Sequence, residues 1–369
     1  MFKNLKYILD IGSSKLTLVA TSSFGGRQNV VAQDSLLYDG YMDGEFLTES
    51  EIETNLATLV GNVAKMVRKN ITELIVGVPS EFCKCVCKRI SRKFLSNHKI
   101  KQTDIDELIE ANADFGDSEE YAVINYAPMQ YVLDDNISTL KPIGLKSNSL
   151  VMDISYVLAK KSFIDFMLEK FANIGVVKAD FVSTALGQAM NCSVEHELTK
   201  PFAVVDVGHI STSVCVYKGQ GLALLSSFSM GGGHISSDIS QVLHINFKDA
   251  ELLKHKIVLT VSSDRNENYE ICRKDSMIQA PINMTNQIVK SRIERIANIV
   301  DEILSVDEVF KDVDIYITGD GIANFRGAKS ILREVVKREV FDFKNQFDNS
   351  RNKFQTAVNG LVTVAGTEK

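Results

Sequence analysis

Short apolar runs that end in polar turns recur along the chain and predict buried strands joined by tight loops. The segment "YILDIGSSKLTLVA", residues 7–20, passes from apolar residues through Asp10 and a Gly-Ser-Ser turn and back to apolar residues. The segment "FAVVDVGHISTSVCVY", residues 202–217, repeats this order with Asp206 and Gly208. Because apolar strands around a short polar turn are typical of a hairpin, we predict the same strand-turn-strand unit in each of two related halves.

Helical periodicity appears between the predicted strands. Residues 48–70, "TESEIETNLATLVGNVAKMVRKN", have one apolar stripe, and Thr48 and Glu51 have the spacing of a capping box. We therefore predict a helix that Thr48 caps. A second stripe, over residues 285–304, predicts a long helix with Lys290, Arg292 and Arg295 on its more exposed faces.

From about residue 80 to residue 174 the pattern changes to mixed strands and helices, which we interpret as an inserted α+β subdomain. The chain as a whole is therefore predicted to be α/β. The predicted division is residues 1–79 and 175–200 for the first half, 80–174 for the insertion, 201–245 and 312–369 for the second half, and 246–311 for an outer subdomain of the second half.

Composition restricts the function classes. The 369 residues carry a net charge of -6 with a pI near 5.6, which argues against nucleic acid as the main partner. No run reaches the ~18 apolar residues of a membrane span, and the first residues lack the pattern of a signal peptide. We therefore expect a cytoplasmic protein.

Three of the six cysteines, Cys83, Cys85 and Cys87, are spaced by two residues. On a strand this spacing puts the three thiols on one face, where core packing is favoured over a metal site.

Glycine- and serine-rich turns expose several backbone N–H groups at one point, which is what a polyphosphate needs where no Walker loop is present. Asp10 and Asp206, beside the two turns, are placed to hold a hydrated Mg²⁺ between the halves and to orient an attacking water. For either turn alone, an ordinary strand end is the alternative interpretation. Two turns in matching contexts favour a two-sided phosphate clamp.

Several short motifs occur in the order seen in the bacterial cell-division protein FtsA, an actin-like family. They are "DIGSSK" at residues 10–15, "PIGL" at 142–145, "DVGHISTS" at 206–213, "SMGGGHISSDIS" at 229–240, "AELLK" at 250–254, "SRIERI" at 291–296, "TGDG" at 318–321 and "AVNGLVTVAG" at 357–366. The resemblance covers nearly the whole chain and includes an insertion where FtsA proteins carry their distinctive subdomain.

The resemblance implies an actin/Hsp70-like fold with ATP and Mg²⁺ in a cleft between the halves. Asp10 and Asp206 would be the catalytic and metal-binding carboxylates. The implied nucleotide contacts are the first loop (Gly12, Ser13, Ser14 and Lys15), the second loop (Gly208, His209, Ser211 and Thr212), the glycine loop (Gly231, Gly232 and Gly233), the ribose contacts (Glu251 and Lys254) and the adenosine loop (Gly319, Asp320 and Gly321).

The resemblance also implies a function. FtsA proteins form head-to-tail filaments at the inner face of the cell membrane at the division site. They bind the C-terminal tail of the tubulin-like protein FtsZ and act as adaptors, with at most slow ATP hydrolysis. Lys290 and Arg292, in the outer subdomain of the second half, are the candidate contacts for that tail, and a solvated helix face is the alternative.

Three departures from the family pattern leave alternatives open. His209, Ile210 and Ser211 replace small residues in the second loop, and Ser213 stands where an aspartate is usual. Asp320 stands where a second glycine is common. The final segment, "NGLVTVAGTEK", stops before the usual linker and amphipathic helix, so we expect membrane contact through a partner or a missing segment. The alternatives are a pilus-assembly-type scaffold and a degenerate homologue that no longer binds nucleotide.

Overall fold

Two five-stranded sheets with the same strand order form the two halves of the molecule. The computed structural model describes residues 4–24, 27–115, 119–134, 137–193, 200–263, 267–273, 277–323, 325–343 and 356–367. From edge to edge, the first sheet consists of the strands Lys178–Ser183, Glu73–Val78, Leu5–Ile11, Lys15–Phe24 and Arg27–Leu37, and the second of Val340–Asp342, Asp314–Thr318, Phe202–Val207, Thr212–Lys218 and Gly221–Phe228. In each, an antiparallel three-stranded unit is followed by two parallel strands. The predicted pair of related halves is confirmed.

The elements of the first half and of the insertion follow in chain order. They are β1 (Leu5–Ile11), β2 (Lys15–Phe24), β3 (Arg27–Leu37), β4 (Tyr41–Met42), β5 (Glu45–Phe46), α1 (Glu49–Val67), β6 (Glu73–Val78), β7 (Cys83–Lys99), α2 (Gln102–Glu110), β8 (Tyr121–Val132), β9 (Ser138–Thr139), β10 (Lys146–Lys160), α3 (Lys161–Asn173), β11 (Lys178–Ser183) and α4 (Thr184–Ser193).

The second half continues the same order of strands and helices. It contains β12 (Phe202–Val207), β13 (Thr212–Lys218), β14 (Gly221–Phe228), α5 (Gly232–Leu243), α6 (Phe247–Lys254), β15 (Asn268–Cys272), β16 (Met277–Pro281), α7 (Ile282–Leu304), β17 (Asp314–Thr318), α8 (Ala328–Val336), β18 (Val340–Asp342) and α9 (Thr356–Thr367). Two short 3-10 turns lie at Ser80–Phe82 and Glu308–Phe310.

Helix α1 begins where the sequence predicts, but its first turn is capped differently. Thr48 occupies the N-cap position without a side-chain hydrogen bond to the helix. Its hydroxyl instead donates to Asp39 Oδ2 at 2.6 Å, so the predicted capping box does not form. The apolar stripe is as predicted, because Ile52, Leu56, Leu59, Val63 and Val67 are buried against the first sheet.

The insertion is a separate four-stranded sheet, β7-β10-β8-β9, with α2 packed on one face. The thiols of Cys85 and Cys87 reach across to strand β14 of the second half, where both contact the carbonyl oxygen of Leu222, at 3.1 and 3.5 Å. The insertion therefore packs against the edge of the second sheet as well as continuing from the first half.

Two helices pack outside the division that the sequence predicts. The sequence division assigns helix α3 to the insertion, but Phe163, Met167 and Phe171 pack in the core of the first half. It assigns helix α9 to the second half, but the apolar face of α9, with Val358 and Leu361, packs on the first sheet. The remaining predicted boundaries stay a prediction.

Helix α4, which packs mainly on the second sheet, crosses helix α9, which packs on the first sheet, at Gly187 and Gly360. A Cβ atom on Gly360 would lie 2.4 Å from the backbone nitrogen of Gln188, and one on Gly187 would lie 2.8 Å from the carbonyl carbon of Gly360. Only glycine permits this approach of the two backbones.

Within the described part of the chain, no helix combines the length and apolar composition of a membrane-spanning segment.

We expect Gly360→Ala to lower the free energy of unfolding by about 1–3 kcal/mol, because the added methyl group meets backbone that has to move. Gly61→Ala, in α1, is the matched control, since a Cβ there meets nothing within 4 Å. That control should raise stability by about 0.5–1 kcal/mol through the better helix propensity of alanine. Chemical denaturation of both variants measures the difference; equal effects would contradict the tight crossing.

Candidate functional site

The two predicted hairpin turns have the same backbone geometry. In the first turn the N–H of Gly12 donates to the carbonyl of Lys15 at 3.0 Å, and in the second the N–H of Gly208 donates to the carbonyl of Ser211 at 2.8 Å. Each turn follows the central strand of its sheet, β1 or β12. The repeat seen in the sequence is therefore a repeat in the structure.

The turns face each other across a narrow cleft. The N–H of Ile210, in the second turn, donates to the hydroxyl of Ser13, in the first, at 3.1 Å. Around this contact lies a cavity of about 90 Å³ with Asp10, Asp206 and Gln188 among its lining residues. The two halves thus meet at the turns, as the sequence predicts.

Asp10 is buried in this cleft, and Asp206 is half-buried beside it. Burial raises the pKa of Asp10 to about 7, helped by the neighbouring charge of Asp206, while Lys15 acts in the opposite direction. Burial also raises the pKa of Asp206 to about 6; a hydrogen bond from Gln188 opposes this and the charge of Asp320 adds to it. Two carboxylates with this environment attract a cation or a proton.

Several side chains of the cleft were not predicted from the sequence. Gln188 Nε2 donates to Asp206 Oδ2 at 2.6 Å and to Thr356 Oγ1 at 3.1 Å. Two lining atoms, Glu81 Oε1 and Thr184 Oγ1, are buried without a hydrogen-bond partner among the described residues. A polar residue inside the otherwise apolar stretch "TALGQAM" was the only signal for Gln188. Unpaired buried polar atoms are rare in proteins, so these two atoms are available to hydrogen-bond a ligand.

Backbone donors are available beside the carboxylates. Among the described residues, the N–H groups of Ser13, Ser14, His209 and Ser211 have no acceptor. Successive free N–H groups in a turn form an anion-binding concavity. The donor set of the cleft, free N–H groups next to two carboxylates, therefore fits a phosphate group together with a divalent cation.

The predicted adenosine loop, residues 319–321, brings a carboxylate to the first turn. The oxygen Asp320 Oδ2 lies 3.8 Å from Lys15 Nζ, so the two halves are also joined by an ion pair. Gly319 has a φ of +92°, and the N–H of Gly321 donates to the carbonyl of Val207 at 2.7 Å. Asp320 thus forms an ion pair with Lys15, the lysine that the resemblance assigns to phosphate binding.

The glycine loop supports the second turn. Helix α5 begins at Gly232, with Gly231 as its N-cap. The N–H of Gly232 donates to the carbonyl of Gly208 at 2.9 Å, and the N–H of Gly233 donates to the carbonyl of His209 at 2.7 Å. Both N–H groups are already hydrogen-bonded to the second turn. Gly232 and Gly233 therefore position that turn and have no free N–H group for a ligand.

The implied ribose pair lies beside this loop. Lys254 Nζ is 2.8 Å from Glu251 Oε1 and 3.2 Å from the carbonyl oxygen of Gly232. Burial acts to raise the pKa of Glu251, but hydrogen bonds from Lys254 and Ser236 leave it below its ordinary value. The ring of His209 packs over Gly233, and burial lowers the pKa of the His209 imidazole.

Other predicted residues have different surroundings from those expected. The hydroxyl of Thr212 is buried and donates to the carbonyl of Met230 at 2.6 Å, which makes it a structural contact. Arg292 is not a free exposed cation, because it makes a double ion pair with Asp238 at 2.6 and 2.7 Å. Lys290 remains a half-exposed lysine on the same helix.

In the described part of the cleft, a metal ion would have only the carboxylates of Asp10 and Asp206 as charged ligands. The described residues contain no group of three or more His, Cys, Asp or Glu side chains that could hold a metal ion. A cation at Asp10 and Asp206 would therefore need water and ligand oxygens to complete its coordination, which is the usual situation for Mg²⁺.

Comparisons with known proteins agree with this architecture. The family described as "Cell division protein FtsA" matches residues 203–360, and the family described as "SHS2 domain inserted in FTSA" matches residues 85–158. The FtsA protein of Staphylococcus epidermidis is 24% identical over 366 residues, covering 96% of this chain and 77% of that protein.

Solved structures show the same fold at low identity. The PilM-PilN type IV pilus biogenesis complex matches with a TM-score of 0.63 and 14% identity, covering 99% of both chains. MreB5 of Spiroplasma citri bound to ADP matches with a TM-score of 0.58 and 11% identity, covering 96% of this chain and 94% of that one. The two family matches, the related protein and the actin-like fold agree, and together they identify FtsA, an actin-like cell-division protein, as the family that this chain resembles.

Proposed function

We propose that this chain binds Mg-ATP between its two turns and acts as a polymerising adaptor of cell division. The observation that carries the proposal is the pair of equivalent turns that face each other, with Asp10 buried and Asp206 half-buried between them. The similarity to FtsA supports the cell-division role, and MreB5, a neighbour in fold, was solved with ADP.

The residues of the cleft divide the work of holding such a ligand. Asp10 and Asp206 would accept waters of the magnesium shell, and the free N–H groups of Ser13, Ser14 and Ser211 would hold phosphate oxygens. When bound, Mg²⁺ would neutralise phosphate charge. Gln188 donates to Asp206 and so fixes the orientation of that carboxylate toward the magnesium shell and an attacking water.

The cleft must widen for a nucleotide to enter. Its cavity measures about 90 Å³, whereas pockets for ligands of this size are roughly 300–1,000 Å³. The contact from Ile210 to Ser13 and the ion pair from Lys15 to Asp320 are the links that opening breaks. Because these two contacts hold the cleft closed, they also favour the second candidate function, an FtsA-like scaffold that no longer binds nucleotide.

Calorimetric titration of the purified protein with Mg-ATP separates the two candidates. Asp10→Asn should weaken Mg-ATP at least tenfold, because one ligand of the cation loses its charge. No heat from the unaltered protein, at concentrations where other actin-like proteins saturate, would reject the proposal in favour of the scaffold.

The same substitution should stabilise the ligand-free protein at alkaline pH. The folded pKa of about 7 for Asp10 lies above its ordinary value of 3.8, so its contribution to stability is present below about pH 4 and is lost as the pH rises through 7. The asparagine side chain stays neutral at every pH, so the variant should unfold a few degrees higher than the parent at about pH 8 and at the same temperature near pH 4. A pH-independent difference would contradict a buried charged pair.

Asp320 should oppose nucleotide binding, because its carboxylate holds Lys15 and would repel phosphate. We expect Asp320→Asn to tighten Mg-ATP roughly two- to fivefold, the range for removal of one exposed charge pair. Asp180→Asn is the matched control, since Asp180 is also partly exposed and pairs with a lysine, Lys178, at 3.0 Å. Weaker binding in the Asp320 variant would instead make that carboxylate a ligand contact.

The FtsZ tail remains the proposed partner, at the outer subdomain of the second half. Lys290→Glu should weaken an FtsZ-tail peptide several-fold in a fluorescence titration, through the reversed charge. Arg292→Ala should instead lower stability by about 1 kcal/mol, because it leaves Asp238 without its partner. Unchanged peptide affinity in the Lys290 variant would move the search for the tail site to another surface.

A further inference from the structure

A short hairpin of the first half lies across the cleft and contacts the second half. We call it the flap; it consists of residues 40–46 and includes strands β4 and β5. The two strands pair, and Asp43 and Gly44 form the two-residue turn between them. Both turn residues have a positive φ, +54° and +76°, which is the geometry that such short hairpin turns favour. The flap is therefore a preformed hairpin rather than an irregular loop.

The stem of the flap is fixed to the first half by aromatic packing. Phe46 stacks on Phe82 and Phe163, with ring centroids 5.5 and 6.0 Å apart. Tyr41 is buried and packs edge-to-face with Phe82 at 5.3 Å. Aromatic pairs at these distances are stabilising beyond the apolar area that they bury. The stem therefore moves together with the first half.

The tip of the flap is joined to the second half instead. The N–H of Asp43 donates to Ser229 Oγ at 3.1 Å, and the Ser229 hydroxyl donates to Asp43 Oδ1 at 2.5 Å. We call this reciprocal pair of hydrogen bonds the latch. The two residues are 186 positions apart in the chain and belong to different halves, so the latch exists only while the halves are close together.

Between its stem and its tip the flap covers one side of the cavity. Tyr41 lines the cavity together with Ser211 of the second turn. A Cβ atom on Gly40 would lie 1.9 Å from the carbonyl oxygen of Ser13 and 3.0 Å from the side chain of Ile210. The flap thus contacts both turns where they meet, and a ligand cannot reach the turns from this side while the flap is closed.

The flap also holds one carboxylate of the cavity wall. The N–H of Gly44 donates to Glu81 Oε2 at 2.9 Å. The other oxygen of the same group, Oε1, is buried without a hydrogen-bond partner among the described residues, and Glu81 lines the cavity. A movement of the flap therefore changes the position of a polar group that is available to a ligand.

We propose that the flap gates the cleft and that the latch between Asp43 and Ser229 keeps it closed in the ligand-free protein. Asp43 is exposed, so its hydrogen bonds can be exchanged for bonds to water at little cost, whereas release of the buried aromatic stem would expose apolar surface. Gly40, with a φ of +90° and no side chain, provides a flexible point beside the stem. The flap therefore releases at its tip and turns about its stem.

The gate has a consequence for affinity. A ligand that binds only the open form is weakened by the fraction of the protein that is closed. The latch should therefore lower the apparent affinity of the cleft. Mg-ATP as the ligand rests on the proposed function, whereas the closure of the flap does not.

Ser229→Ala removes the hydroxyl of the latch and leaves the stem unchanged. We expect it to tighten Mg-ATP roughly three- to tenfold in a calorimetric titration, because hydrogen bonds that favour the closed form are lost. Thr48→Ala is the matched control, since the Thr48 hydroxyl also donates to an aspartate, Asp39 Oδ2 at 2.6 Å, but within the first half. Unchanged affinity in Ser229→Ala, or the same gain in both variants, would overturn the proposal.

A reversible cross-link tests the closed state directly. Asp43→Cys with Ser229→Cys places two thiols at the latch, and diamide oxidises them to a disulfide that mass spectrometry identifies. The oxidised form should bind Mg-ATP at least tenfold more weakly, and reduction with dithiothreitol should restore binding. Asp39→Cys with Thr48→Cys, treated in the same way, is the control and should bind equally in both states. Equal binding by the oxidised and reduced latch variant would show that the flap does not gate the cleft.

Amide hydrogen exchange of the ligand-free protein separates this proposal from the proposed function. The N–H groups of Gly44 and Ile210 are held by Glu81 and Ser13 while the cleft is closed. In Ser229→Ala both should exchange roughly three- to tenfold faster than in the parent, and in the Thr48 control they should not change. If these amides respond but the parent gives no heat with Mg-ATP, the gate stands and the ligand is wrong. If Mg-ATP binds but neither exchange nor affinity responds, the gate is wrong.

Discussion

The close approach of two carboxylates between the halves, with Asp10 buried and Asp206 half-buried, is the constraint on which the cleft depends. Asp10 and Asp206 each end the central strand of a sheet, and neither has a cation beside it that would balance its burial fully. The surrounding groups compensate in part: Gln188 donates to Asp206, and Lys15 acts on Asp10. A cleft of this kind is more stable with a proton or a cation than without one, and this links its ligand state to the closure of the halves.

Much of the fold could be predicted because its signals are local. Alternating and continuous apolar runs define the hairpins around residues 12–14 and 208–211, and the repeated order of motifs defines the two halves. The packing of α3 and α9 could not be predicted in the same way. An amphipathic stripe predicts that a helix buries one face, but it does not predict which of the two sheets covers that face.

The site shows the same division between local and long-range signals. The turns with Asp10 and Asp206 were found from sequence, because a carboxylate next to a glycine turn is a local pattern. Gln188 was not found, because its partner is brought to it by packing of α4 against the second half. Arg292 looked exposed for the same reason, since Asp238 lies 54 residues away in the chain and meets it only after folding.

The crossing of α4 and α9 at Gly187 and Gly360 has a mechanical consequence. Each helix packs on a sheet, α4 mainly on the second and α9 on the first, and the two backbones touch where neither has a side chain. A rotation about this point changes the angle between the halves without separating interlocked side chains at the point itself. If the cleft opens, the halves can turn about this glycine contact with the least disturbance of side-chain packing.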